Sequence, residues 1–153
     1  MNTPNTSFTL ILRYRRAAYA GDGESNRQKL LAALDAQLSG DLSSLTSLFH
    51  SKIVFHEAEC LPYGGTHHGV EATIAAVNQM FDCYDRMHVE VEDVLAHGEL
   101  VIVYAHVEFR VRKNGRTGKF SACETYRFDA GKIIEWRVHY FDSRLVAQAL
   151  YAD

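Results

Sequence analysis

The stretch that decides the fold is Leu100-Val101-Ile102-Val103-Tyr104-Ala105-His106-Val107-Glu108-Phe109-Arg110-Val111-Arg112-Lys113-Asn114-Gly115. Val101, Val103, Ala105, Val107, Phe109 and Val111 recur at every second position. Tyr104, His106, Glu108, Arg110 and Arg112 fill the places between them. A period of two is a β-strand with one buried face, and Asn-Gly is a strong hairpin signal. The same alternation runs outward on both sides. Before it, Met87 to Ala96 sets Val89 and Val91 against His88, Glu90 and Glu92, and His97-Gly98-Glu99 makes the turn. After it come Lys119 to Asp129, an Ala130-Gly131 turn and Lys132 to Phe141. Four consecutive strands joined by tight turns predict an antiparallel meander.

The first half of the chain has another rhythm. With Ser25 as N-cap, Leu30, Leu31, Leu34 and Leu38 fall at helical spacing, and Gly40 ends the helix. Asp41 caps a short second helix that presents Leu42, Leu45 and Leu48-Phe49. Lys52 to Ala58 is a strand. Beyond Pro62-Tyr63-Gly64-Gly65, a third helix over Val70 to Tyr84 carries Ile74, Val77 and Phe81. Asp142 or Ser143 starts a last short helix, Arg144 to Leu150. Helices segregated from strands make an α+β fold. A curved, mostly antiparallel sheet wrapped around three helices would leave a conical cavity between them.

The 153 residues suggest a single domain over 23–153, preceded by a poorly ordered arm over 1–22. Of these residues, 47% are hydrophobic and 23% charged, the balance of an ordinary globular chain. A net charge of -3 makes no electrostatic case for nucleic acid or an anionic membrane, and no apolar run is long enough to cross a bilayer. Cys60, Cys83 and Cys123 are odd in number and form no CxxC pair, which reads as a reduced, cytoplasmic chain.

Between the first strand and the third helix lies His56-Glu57-Ala58-Glu59-Cys60-Leu61-Pro62-Tyr63-Gly64-Gly65-Thr66-His67-His68-Gly69. A turn needs the Pro and the glycines but not the acids and imidazoles beside them, so the mouth of a pocket is expected here. Tyr63 sits in the turn, either donating to a ligand oxygen or packing as a lid. Val54, His56 and Ala58 alternate with Ile53, Phe55 and Glu57, and both sets begin apolar, so the inward face is open. His56 is a candidate for the pocket, since imidazole titrates near neutral pH, and Glu57 could hold it or contact ligand. On the fourth strand Phe120, Ala122, Glu124, Tyr126 and Phe128 share a face. Glu124 is then a carboxyl among apolar side chains, where it must find a partner or become neutral. On the last strand Ile134, Trp136, Val138 and Tyr140 share a face, which puts Trp136 and Tyr140 on the cavity wall as ligand contacts or as core. Adjacent His67-His68 cannot readily share one tetrahedral ion, and no other spacing matches a standard zinc site, so no metal is expected.

The order of these pieces resembles a known superfamily. Leu61 to Gly69, then Tyr126-Arg127-Phe128-Asp129-Ala130-Gly131-Lys132-Ile133, then Tyr140-Phe141-Asp142 look like the SnoaL-like branch of the NTF2-like fold, over roughly residues 25 to 150. The resemblance implies a cone-shaped α+β barrel, a homodimer through the outer face of the sheet, and a buried acid or base acting on an apolar small molecule without cofactor. Glu124-Thr125-Tyr126-Arg127-Phe128 resembles the Asp-His-Phe-Arg-Phe run of ketosteroid isomerase, whose Asp is a protonated oxyanion donor. SnoaL-type cyclases carry an acid on the last strand, and the matching position here is Val138 or His139. About one residue more than in related chains separates Gly131 from Asp142, so a bulge is expected near Val138-His139.

Two functions fit. One is a cofactor-independent acid-base enzyme of the isomerase, cyclase or dehydratase kind, with His56 and Glu124 catalytic and Glu57, Tyr63, Trp136 and Tyr140 on the ligand. The other is a non-catalytic small-molecule-binding or dimerisation domain using the same pocket.

Overall fold

The computed structural model describes residues 7–12, 23–37 and 42–152, without the side chains of Phe8, Leu10, Leu12 and Gln37. Among the described residues seven strands form one sheet: β1 (Ser7–Leu12), β2 (Phe49–Glu57), β3 (Gly65–His68), β4 (Tyr84–His97), β5 (Leu100–Val111), β6 (Thr117–Asp129) and β7 (Lys132–Tyr140). Their order is β1-β4-β5-β6-β7-β2-β3. The helices among the described residues are α1 (Glu24–Gln37), α2 (Ser43–Thr46), α3 (Val70–Cys83) and α4 (Ser143–Tyr151). The predicted meander is β4 to β7, antiparallel throughout. Only β1 on β4 and β2 on β7 run parallel, so the curved sheet stays mostly antiparallel and does not close.

Alternation places the core. Val101, Val103, Ala105, Val107, Phe109 and Val111 are all buried. The opposite face of β5 is paired by charge: His106 lies 2.6 Å from Glu92, Arg110 lies 2.7 Å from Asp85, and Lys119 binds Glu108. The inner face packs on Leu30, Leu31 and Ala33 of α1, Leu45 of α2, and Ala76 and Val77 of α3. A second cluster under α4 joins Val146, Ala149 and Leu150 to Tyr84, Phe109 and Val111.

Several boundaries differ from the sequence expectation. Ser7–Leu12 is a strand on β4, within the segment expected to be an arm. The helix ends expected at Leu38, Gly40 and Asp41 lie outside the described residues. Arg27 N donates to Gly23 O at 3.0 Å, so α1 begins before Ser25 and the expected N-cap sits inside the first turn. Asp142 does cap α4, accepting from Leu145 N at 3.1 Å. β3 is too short and too polar to show a period.

The extra residue of β7 is Ile134, not one near Val138-His139. Arg127 pairs with Glu135 and Phe128 with Ile133, which leaves Ile134 unpaired. From Glu135 to Tyr140 the register is regular. The bulge lets Ile133 join Trp136 on the buried face while Val138 and Tyr140 stay inward. Ala130 and Gly131 just before it both have positive φ (47° and 77°), the two-residue turn whose twist matches a hairpin.

Candidate active site

The concave face encloses a cavity of about 100 Å³. Its wall is mostly apolar: Leu34 and Leu45, Val77, Met80 and Phe81 of α3, and Met87, Val91, Val103 and Val107 of the meander. The polar atoms come from seven side chains: Glu57, Tyr63, Tyr84, Glu124, Tyr126, Trp136 and Tyr140. Among the described residues, no Lys, Arg or His lines it.

β2 chooses the face that carries Ile53, Phe55 and Glu57, which are 0%, 2% and 7% exposed. Phe55 packs on Trp136 with ring centroids 4.2 Å apart and planes tilted by 32°, and Glu57 on the same face lines the cavity. His56 therefore points the other way, which corrects its expected place as the base in the pocket. Its Nδ1 lies 3.1 Å from Thr66 Oγ1 and its Nε2 lies 3.5 Å from Glu135 on the outer face. Burial and the nearby Arg137 lower its pKa, with Glu135 opposing.

Glu57 accepts from Tyr140 Oη at 3.3 Å and from Ala58 N at 3.1 Å. Burial dominates and pushes its pKa to about 8, and the neighbouring Glu124 adds to the rise. Glu124 is half-buried on β6 as expected. Its Oε2 accepts from Trp136 Nε1 at 3.0 Å and from Tyr126 Oη. Burial raises its pKa against both hydrogen bonds. Among the described residues neither carboxyl has an ion-pair partner, so burial favours the neutral form of both.

Tyr63 is not a lid over the mouth. It is 2% exposed, and its hydroxyl lies 2.8 Å from that of Tyr84. The Pro-Tyr-Gly-Gly turn folds it inward: Gly64 N donates to Leu61 O at 2.9 Å, and a Cβ on Gly64 would sit 2.1 Å from Ala58 O. Tyr140 and Trp136 line the cavity as expected. Tyr84 and Tyr126 also contribute polar groups, and no sequence reading gave them roles. Tyr84 falls at the helix-to-strand junction, where neither period speaks.

The sheet register aligns the two acids. Val138 pairs with Glu124, and Arg137 pairs with His56 on the other side. One residue on, Glu57 falls level with Val138. Adjacent strands lie about 4.8 Å apart, so the two glutamates flank Val138 with Cα atoms about 10 Å apart. Val138, one of the two positions that match the acid of SnoaL-type cyclases, thus has a carboxyl on the strand to either side.

A curved, unclosed α+β sheet holding a small apolar cavity against helices is an NTF2-like fold. The model of the SnoaL-like domain family matches residues 28–136, and the chain belongs to that family. Solved structures agree on the fold. An NTF2-like protein of unknown function from Burkholderia pseudomallei is 21% identical with a TM-score of 0.77, over 84% of this chain and 98% of that one. A protein from Jannaschia provisionally assigned as a SnoaL-like polyketide cyclase is 19% identical with a TM-score of 0.73, over 91% and 98%. A protein from Rhodopseudomonas palustris provisionally assigned as an isomerase is 18% identical with a TM-score of 0.68, over 82% and 96%. No curated protein sequence matches the chain. Among the described residues, no helix is long and apolar enough to cross a membrane, and no cluster of His, Cys, Asp or Glu could hold a metal.

Proposed function

We propose that the cavity is an acid-base site that moves a proton next to the carbonyl of a small, neutral, apolar molecule. The observation that carries this reading is the pair of carboxyls, Glu57 and Glu124, in one apolar cavity with no cation among the described residues that line it. Glu57 replaces His56 as the base. With a pKa of about 8, roughly one Glu57 in ten is ionised at pH 7, and the desolvated carboxylate is a stronger base than an exposed one. Glu124, kept neutral, donates to the carbonyl oxygen as negative charge develops on it. Glu57 takes the proton from carbon and returns it to the same or a conjugated carbon. No atom is gained or lost, as an isomerisation requires.

The volume limits the ligand. A cavity of about 150 Å³ holds one benzene. At about 100 Å³, the ligand is one small ring or a short chain. Relatives provisionally assigned as a cyclase and an isomerase support the reaction class. The homodimer through the outer face belongs to the same proposal, and sedimentation velocity checks it.

The test is solvent deuterium incorporation into small cyclic enones, followed by NMR, for the wild type, Glu57→Gln and Glu124→Gln. Exchange in the wild type that rises from pH 6 to 8 and collapses in Glu57→Gln supports the proposal. Saturable quenching of Trp136 fluorescence with no exchange in any protein would instead identify a binding domain.

A further inference from the structure

Glu124 can act as a donor only if its proton faces the ligand, and the hydrogen bonds around it bear on that. The indole Nε1–H of Trp136 has no acceptor role, so the Oε2 it reaches must accept. Tyr126 Oη donates to the same atom. A carbonyl-type oxygen has two lone pairs, and these two donors occupy both. A protonated carboxyl oxygen is the poorer acceptor, so the proton belongs on Oε1. Among the described residues Oε1 has no protein partner, and no buried side-chain oxygen lacks one. Oε1 is therefore open to the cavity.

We infer that Trp136 and Tyr126 are positioning residues that hold the acid proton of Glu124 on Oε1, aimed at the ligand. The inference rests on the acid-base reading of the cavity. Tyr126 and Trp136 are built for the task by packing: their rings stack at 5.4 Å and 18°, and the Phe55 ring lies 4.2 Å from that of Trp136. They are neighbours across β6 and β7 in register, so the sheet presents both donors on one side of Glu124. The other titratable groups in the cavity are Glu57, Tyr63, Tyr84 and Tyr140.

The test uses the full chain with 13C-labelled glutamate carboxyls, titrated by NMR in the wild type, Trp136→Phe and Tyr126→Phe. Glu57→Gln and Glu124→Gln assign the two resonances. Both donors favour the charged form of Glu124, so removing either moves its titration upward while that of Glu57 stays in place. Where cyclic enones exchange, each variant loses about 5- to 10-fold in rate, the equivalent of one hydrogen bond. Tyr126→Phe is nearly isosteric and keeps the test valid if Trp136→Phe does not fold. An unchanged Glu124 titration in Tyr126→Phe overturns the inference, as does an equal movement of Glu57, which would mean a general change of the cavity. A Glu124-specific shift in a protein that exchanges no enone supports the proton placement and removes the acid-base reading instead.

Discussion

Replacing Glu57 by Gln should make the protein more stable at neutral pH and should flatten its pH dependence. The pKa of Glu57 rises from an ordinary 4.5 to about 8 on folding. Between those values the folded chain binds a proton that the unfolded chain has lost, so stability falls as pH rises. This is the reverse of a carboxylate held in an ion pair. At about 1.4 kcal/mol per pH unit, the whole window is worth about 5 kcal/mol, and the interval from pH 5 to 7.5 about 3 kcal/mol. Against a typical total of about 5–15 kcal/mol, that is a large fraction. Gln cannot titrate. Its carbonyl can accept from Ala58 N in place of Oε2, and its amide faces the Tyr140 hydroxyl. Glu124 contributes a slope of the same sign and His56 one of opposite sign at lower pH, so the quantity to read is the difference between the two proteins. Urea unfolding followed by Trp136 fluorescence at pH 5 and 7.5 gives it directly. The gap in midpoint between the proteins should change by about 1 to 3 M. Parallel pH profiles for wild type and Glu57→Gln would refute the burial argument and, with it, the assignment of Glu57 as a base near neutral pH.

Two further predictions concern the frame of the site. Gly64→Ala forces a Cβ to within 2.1 Å of Ala58 O, and backbone cannot rotate away, so thermal unfolding should show a loss of about 3 kcal/mol and Tyr63 should lose its buried position. Asp142→Ala removes the N-cap of α4 and should cost about 1 kcal/mol in urea titration, with Asp142→Asn recovering most of it.

Much of the architecture was legible because it is periodic. Alternation in residues 87–141 determined the meander, its turns and its inward face, and the odd positions of β5 are the buried ones. Glu124, Trp136 and Tyr140 were found for the same reason: each lies on a strand with one clearly apolar face. The family followed from the order of the motifs. The sequence did not determine which face of β2 turns inward, since Ile53-Phe55 and Val54 are both apolar and only contact with Trp136 separates them. That one choice moved the candidate base from His56 to Glu57. The place of the extra residue in β7 was likewise a matter of tertiary pairing, because Ile134 is as apolar as its neighbours and only the ladder to β6 shows which residue goes unpaired. Local pattern states which residues want burial. Which carboxyl ends beside which depends on strand register across β6, β7 and β2, and on the desolvation that the assembled cavity imposes on both.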